Sequence, residues 1–249
     1  MYNNLIKRKI VSSIADWIDT PDIIILIGHR QVGKTCLLYI VRDYLINQKG
    51  ISQNQIRFID LENREFISLL NAGVQPLIDW LELDGVNTNS PYYLLIDEIQ
   101  YLKDPSNILK LLHDHFPNCK VISTGSSTLE IKLKFSDSLA GRKKVFEIYP
   151  LSFSEYLIFR GKTILGEKLS ATSFRNTNIH DLLPFMTKKE ELLREYEYYV
   201  RFGGFPRVVL EQREDRKRDI LLELYDSYVK KDIKELAEIR NIEGFNNLI

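Results

Sequence analysis

Apolar residues along the chain alternate between short unbroken runs and longer stretches with helical spacing. Ile10, Ile14, Trp17 and Ile18 recur at the spacing of an amphipathic helix, which Pro21-Asp22 breaks. Ile23 to Ile27 is then an unbroken β-branched and apolar run, the pattern of a strand buried on both faces of a parallel sheet. Leu37, Val41, Tyr44 and Leu45 mark the buried face of the next helix. Gln55 to Leu61, Tyr92 to Ile96, Lys120 to Thr124 and Lys143 to Tyr149 read as four more strands. Between them, Pro76 opens a helix through Leu83, and Pro105 opens another after Asp104, each proline suited to a first helical turn. Ser152 and Glu155 have the spacing of a capping box. Strands alternating with helices of this length predict an α/β fold, a three-layer sandwich with helices on both faces of a parallel sheet.

Beyond Phe159 the pattern changes. Gly161 to Lys188 is polar and irregular and reads as an insertion or mobile loop. Glu190 to Val200 and Asp219 to Ile239 read as helices, the second with Leu221, Leu224, Tyr225, Tyr228 and Ile233 on one side. The expected organisation is a core over residues 1–158, including the N-terminal helix, and a small helical lid over 159–249. No internal repeat is visible.

Composition narrows the classes. The 249 residues are 44% hydrophobic and 27% charged, as in an ordinary globular protein. Lysine plus arginine, 34, equals aspartate plus glutamate, 34, so nothing resembles the basic footprint of a dedicated nucleic-acid binder. Arg213, Arg216, Lys217 and Arg218 form a local basic run that a solvated helix face explains. The two cysteines, Cys36 and Cys119, lie in apolar segments without metal-ligand spacing and read as reduced thiols. No apolar run reaches about 18 residues, and no signal peptide is apparent, so a cytoplasmic protein is expected.

The candidate chemistry begins at Gly28-His29-Arg30-Gln31-Val32-Gly33-Lys34-Thr35, which satisfies G-x-x-x-x-G-K-[ST] between a buried strand and an amphipathic helix. Glycines let backbone N–H groups close around a β-phosphate, and the following helix, from Lys34 through Cys36, aims its positive end at the anion. Lys34 supplies a mobile charge for the β- and γ-oxygens, and the Thr35 hydroxyl a ligand for Mg²⁺. The cofactor expected from this loop is MgATP. Gly161-Lys162-Thr163 repeats the last letters without the first glycine or the strand, and reads as a solvated turn.

Tyr93-Leu94-Leu95-Ile96-Asp97-Glu98 is an apolar strand ending in two carboxylates. In a P-loop fold Asp97 holds Mg²⁺ through its water shell, and Glu98 polarises an attacking water. Thr124, at the end of Val121–Thr124, either senses the γ-phosphate or is only a strand end, with Ser126 or Ser127 capping the next helix. Arg142 either reaches a nucleotide on a neighbouring subunit or belongs to a basic turn with Lys143 and Lys144. These residues favour an ATPase. A switch that holds ATP or ADP without hydrolysis is the alternative, and a small-molecule kinase comes third because Glu98 points to water.

In this order the chain resembles the prokaryotic AAA-type ATPases that carry a C-terminal domain of unknown function. The matching residues are Gly28–Thr35, Asp97-Glu98-Ile99-Gln100, Thr124-Gly125-Ser126-Ser127, Leu139–Arg142, Tyr149–Glu155, Gly203-Gly204-Phe205-Pro206 and Tyr228–Ile233. The resemblance implies a five-stranded sheet in the order 5-1-4-3-2, ATP as ligand and Pro206 near the nucleotide. From the residues alone, Gly203–Pro206 is a helix break. His29 stands where the family pattern has proline. The resemblance also predicts that a C-terminal domain begins near Ile249, so that a domain or protein partner carries the output. Where Arg142 is read as reaching a neighbouring nucleotide, the expected assembly is a homo-oligomer in which Arg142 acts in trans.

Overall fold

The computed structural model describes residues 5–126, 139–172 and 179–227. The chain divides into two compact units, one of residues 1–29 with 33–148 and one of 30–32 with 149–249.

In the first unit, α1 (Ile10–Ala15) leads into β1 (Ile23–Gly28) and α2 (Lys34–Asn47). The chain continues through β2 (Ile56–Asp60), α3 (Arg64–Asn71), α4 (Val74–Leu83) and β3 (Tyr92–Asp97). A 3₁₀ turn at Ile99–Tyr101 precedes α5 (Pro105–His115), β4 (Cys119–Ser126) and β5 (Lys143–Ile148). All four strand pairings are parallel and the sheet order is β2-β3-β4-β1-β5, the expected 5-1-4-3-2 read from the other edge. The three central strands, β1, β3 and β4, are buried at every position, as their unbroken apolar runs predict. Edge strands β2 and β5 are only partly covered.

Because alternate residues of a strand point to opposite faces, β1 divides its side chains between two layers. Ile23, Ile25 and Ile27 join Leu94, Ile96 and Val121 in a core closed by Leu70 of α3, Leu77 and Leu81 of α4, and Leu109 and Leu112 of α5. α2 packs on β1, β3 and β4 and carries α1 with it. Its Tyr39 stacks on Phe58 of β2 with ring centroids 4.7 Å apart. The caps expected for α5 are present: Asp104 accepts from the Asn107 N–H at 3.0 Å, and Pro105 occupies the first turn. Pro76 sits in the first turn of α4, which begins two residues earlier at Val74. α3 has no counterpart in the expected elements, although Asn63 caps it by accepting from the Glu65 N–H at 2.9 Å.

One buried charge ties the N-terminal region to the sheet. Lys120 of β4 is 8% exposed, and its ammonium donates to the carbonyls of Trp17, Thr20 and Asp22 at 2.7, 2.7 and 2.6 Å. These carbonyls lie in the turn between α1 and β1. Lys120→Met keeps the aliphatic stem but leaves the three acceptors without a donor, each worth roughly 1 kcal/mol or more when it cannot be replaced by water. The expected loss is about 3 kcal/mol of unfolding free energy, read as a lower denaturant midpoint with unchanged slope.

The second unit holds α6 (Phe153–Phe159), α7 (Thr163–Ala171), α8 (Ile179–Met186), α9 (Lys189–Phe202), α10 (Pro206–Leu210) and α11 (Glu214–Ser227). The expected capping box is formed at α6: the Ser152 N–H donates to Glu155 Oε2 at 3.0 Å, and the Glu155 N–H to Ser152 Oγ at 3.4 Å. α6 belongs with this unit because Leu151, Tyr156 and Leu157 pack with Val209 of α10 and Tyr199 of α9. The expectation of an irregular 161–188 is corrected: α7 and α8 occupy most of it. Leu165 and Leu169 of α7 pack against the cluster of Leu151, Tyr156, Leu157 and Val209, and that tertiary packing supports the helix. The Gly161-Lys162-Thr163 turn leads into α7, with Lys162 paired to Glu191. Gly203, at φ 73°, ends α9, and Pro206 opens α10, so the expected helix break is present. Ser127, Tyr228–Ile233 and the stretch to Ile239 lie outside the described residues.

Candidate nucleotide site

β1 delivers the chain to Gly28, and α2 begins at Lys34. Between them Gly33 takes φ 94° and ψ 29°, a left-handed conformation that the missing Cβ makes accessible. Gln31 is also left-handed, at φ 61°, so the loop mixes the two hands as anion-binding nests do. Arg30, Gln31 and Val32 group with the second unit, as does Pro206 at the first position of α10. Arg30 Nε is buried and has no hydrogen-bond partner among the described residues, on a loop whose pattern is that of a phosphate cradle. His29 is exposed, and its carbonyl contributes to the site rather than its ring.

Lys34 is 5% exposed, and its Nζ donates to the carbonyls of Gly28 and His29, each at 3.0 Å. The ammonium is therefore held at the loop by these two backbone oxygens. Next to it, the Thr35 hydroxyl donates to Asp97 Oδ2 at 2.7 Å. The Thr124 hydroxyl donates to the other carboxylate oxygen, Asp97 Oδ1, and accepts the Glu98 N–H at 2.9 Å. Thr35, Asp97, Thr124 and Glu98 thus form one continuous hydrogen-bonded chain from α2 across β3 to β4.

Asp97 is 4% exposed and its described partners are hydroxyls, not cations. Burial pushes its carboxyl above the usual range, the hydrogen bonds from Thr124 and Thr35 oppose that, and the charges of Glu98 and Asp60 add to it. A buried carboxylate without a countercharge is costly unless a cation completes the site. The donor set suits Mg²⁺. Thr35 Oγ1 and Asp97 Oδ2, 2.7 Å apart, would hold the ion, Asp97 through its water shell. Among the described residues there is no cluster of three or more His, Cys, Asp or Glu side chains.

The remaining expected residues fall as follows. Cys36 is half-buried at the start of α2, its thiol raised first by burial and then by the charge of Asp97. Glu98 is half-buried at the end of β3 with φ 58°. Ser126 uses its backbone rather than its hydroxyl, donating to Gln100 Oε1 at 3.1 Å. Arg142 precedes β5, where its carbonyl accepts from the Ile23 N–H at 2.8 Å. Its Nε is bound to Asp114 Oδ1 at 2.7 Å, and that bond, with a second from His113, holds the exposed Asp114 carboxyl down at about 2. Gln100 and Asp114 are the two partners that the sequence reading did not assign. The signal for Gln100 was its position within Asp97–Gln100; nothing local marks Asp114.

With this geometry the comparisons agree. Residues 20–157 match the AAA domain family, and residues 193–249 match a domain of unknown function, DUF8612. The chain belongs to the AAA domain family, a family of P-loop ATPases. Its curated relatives include an uncharacterised protein of Haemophilus influenzae, 29% identical over 98% of this chain and 54% of the relative. Another, from Methanocaldococcus jannaschii, is 30% identical over 94% of this chain and 48% of the relative. The chain thus spans about half the length of the curated relatives it matches. Among solved structures, a Walker-type ATPase of Pyrococcus abyssi superposes with TM-score 0.50 at 17% identity, covering 95% of this chain and 76% of that one. That likeness supports the P-loop α/β fold. Among the described residues no helix is long and apolar enough to cross a membrane.

Proposed function

We propose that the chain binds ATP with Mg²⁺ at Gly28–Thr35 and hydrolyses it, with Glu98 activating the attacking water. The single observation that carries this reading is the hydrogen-bonded chain linking Thr35, Asp97, Thr124 and Glu98. It aligns the residue types that a metal, a γ-phosphate and a nucleophilic water each require.

The backbone N–H groups of residues 28–35 and the N-terminus of α2 surround the β-phosphate, and Lys34 neutralises charge on the β- and γ-oxygens. Thr35 and Asp97 would hold Mg²⁺, which when bound supplies charge neutralisation across the same oxygens. Glu98 accepts the proton that the water loses as its oxygen approaches phosphorus. Thr124, fixed between Asp97 and the Glu98 backbone, keeps the two carboxylates in register, and in this reading senses the γ-phosphate through them. The first unit, ending at Ile148, forms the catalytic core. The helical second unit passes the nucleotide's state to a further domain or protein partner. A cytoplasmic setting accords with it.

Glu98→Gln keeps the side chain's shape and removes its basicity. MgATP turnover is expected to fall about 100-fold while ATP affinity stays within a small factor. Equal turnover in the two proteins sinks the proposal. Nucleotide bound to the wild type and unchanged through hours with Mg²⁺ would instead establish a switch.

Arg142 completes the proposal in trans, in a homo-oligomer, once it leaves Asp114. Asp114→Asn weakens that bond, so turnover per subunit should rise more steeply with protein concentration than in the wild type. A rate independent of concentration in both proteins removes Arg142 from the mechanism.

A further inference from the structure

Glu98 has a backbone that its residue type disfavours. At φ 58° and ψ 49° it is left-handed, where a side chain with a Cβ costs roughly 1–2 kcal/mol relative to glycine. Its N–H is fixed by Thr124 at 2.9 Å, which settles the backbone but not the direction of the carboxylate. That direction is set by another residue. Gln100, in the 3₁₀ turn that follows, donates from its amide nitrogen to Glu98 Oε2. Its amide oxygen accepts the Ser126 N–H at 3.1 Å.

The orientation of the Gln100 amide is decided by its partners. A backbone N–H can only donate, so the atom facing Ser126 must be the oxygen, and the NH₂ is left for the carboxylate. Glutamine is suited to both ends at once. Glutamate has no donor for Glu98 at neutral pH, and methionine of similar length has neither group. Ser126 is itself fixed, because it is the β4 residue in register with Gly28 of β1. The Glu98 carboxylate is thereby referred to the strand beside the first glycine of the phosphate loop.

We infer that Gln100 is a positioning residue that aims the Glu98 carboxylate, using the end of β4 as its fixed point. One oxygen of Glu98 is engaged by Gln100, and the other is left to meet water. The inference rests on the reading of Glu98 as the group that activates water. It goes beyond that reading by assigning the orientation of the carboxylate to a residue outside the phosphate, metal and water contacts.

The test is MgATP turnover and ADP binding for the wild type, Gln100→Met, Gln100→Glu, Glu98→Gln, and each Gln100 variant combined with Glu98→Gln. A misaimed carboxylate should lower kcat about 10- to 100-fold, with KM and ADP affinity within about threefold. Gln100→Glu retains the length and the acceptor for Ser126, so its loss reports the missing NH₂ donor and the like charge set in its place, apart from packing. In the Glu98→Gln background neither Gln100 variant should lower the residual rate further, because the group it aims is already disabled. Wild-type kcat in Gln100→Glu, beside a disabled Glu98→Gln, overturns the inference alone. So does a kcat loss that recurs in full in the Glu98→Gln background, or ADP affinity that falls in step with kcat. If Gln100→Met melts at a lower temperature, Gln100→Glu decides. Full turnover in Glu98→Gln overturns the parent reading instead.

Discussion

Lys34→Ala is expected to weaken ATP binding by about three orders of magnitude. The ammonium is 5% exposed and is held by the Gly28 and His29 carbonyls at 3.0 Å each, so its position is prepared before any ligand arrives. With three N–H groups, the ammonium gives up one of those carbonyls to reach both the β- and γ-oxygens. Two charge-assisted hydrogen bonds to phosphate oxygens, at about 2 kcal/mol each, amount to about 4 kcal/mol, and every 1.4 kcal/mol is tenfold. Alanine also leaves two carbonyls directed at the anion without their donor, which adds to the loss. Lys34→Arg should not rescue. A guanidinium keeps the charge but brings a planar fork into a site shaped for a compact ammonium. Equilibrium titration with a fluorescent ATP analogue measures the effect, and the melting temperature without nucleotide shows whether the fold survives. Binding within about threefold of wild type would remove Gly28–Thr35 from phosphate recognition.

How much of this was readable in advance depended on the range of the interaction. Ile23–Ile27, Tyr92–Ile96 and the strand through Val121 were visible because a strand buried on both faces has no alternative but an apolar run. Asp104-Pro105 and Ser152–Glu155 were visible because caps are chemistry between residues three apart. The strand order came from resemblance to a family, since nothing in the spacing of the runs orders them. α7 and α8 were not legible. In α7 the apolar positions are few, and Leu165 and Leu169 take effect only when they meet a core assembled elsewhere. In α8, IHDLLPFM is apolar but is interrupted by Pro184 and too short to show a helical period. Lys120 looked like one polar residue in an apolar strand, and its partners at Trp17, Thr20 and Asp22 are about a hundred residues away. Asp114 was equally silent: only the sheet brings α5 to the start of β5 and so to Arg142. At the site, the identities of Lys34, Thr35, Asp97 and Glu98 could be read from the sequence. Their connection through Thr124 and Gln100 could not, because side-chain partners across strands carry no local signature.

Gly203 and Gly204 are neighbours that are glycine for different reasons, and Gly204→Ala is expected to be among the most destabilising single substitutions in the second unit. A Cβ on Gly204 would lie 2.3 Å from the Leu151 carbonyl oxygen, 3.0 Å from its nitrogen and 3.2 Å from its carbonyl carbon. All three are backbone atoms, so no rotamer change relieves the overlap and one segment must move. Movement is expensive there. The Leu151 N–H donates to the Gly204 carbonyl at 2.7 Å, and the Leu151 carbonyl accepts the Tyr199 hydroxyl at 2.9 Å. Leu151 itself is 1% exposed in the cluster with Tyr156, Leu157 and Val209. Two hydrogen bonds at about 1 kcal/mol each and part of a buried leucine give a loss of about 4 kcal/mol. At Gly203 a Cβ meets open space, and only φ 73° with ψ −171° resists it, so Gly203→Ala should cost about 1–3 kcal/mol. Denaturant unfolding followed by a probe in the second unit gives both values. A Gly204→Ala protein within about 1 kcal/mol of wild type would mean that the Leu151 segment yields freely. Glycine at 204 would then have to be explained by something other than this contact, and the resemblance that places Gly204-Phe205-Pro206 near a nucleotide is where that explanation should be sought.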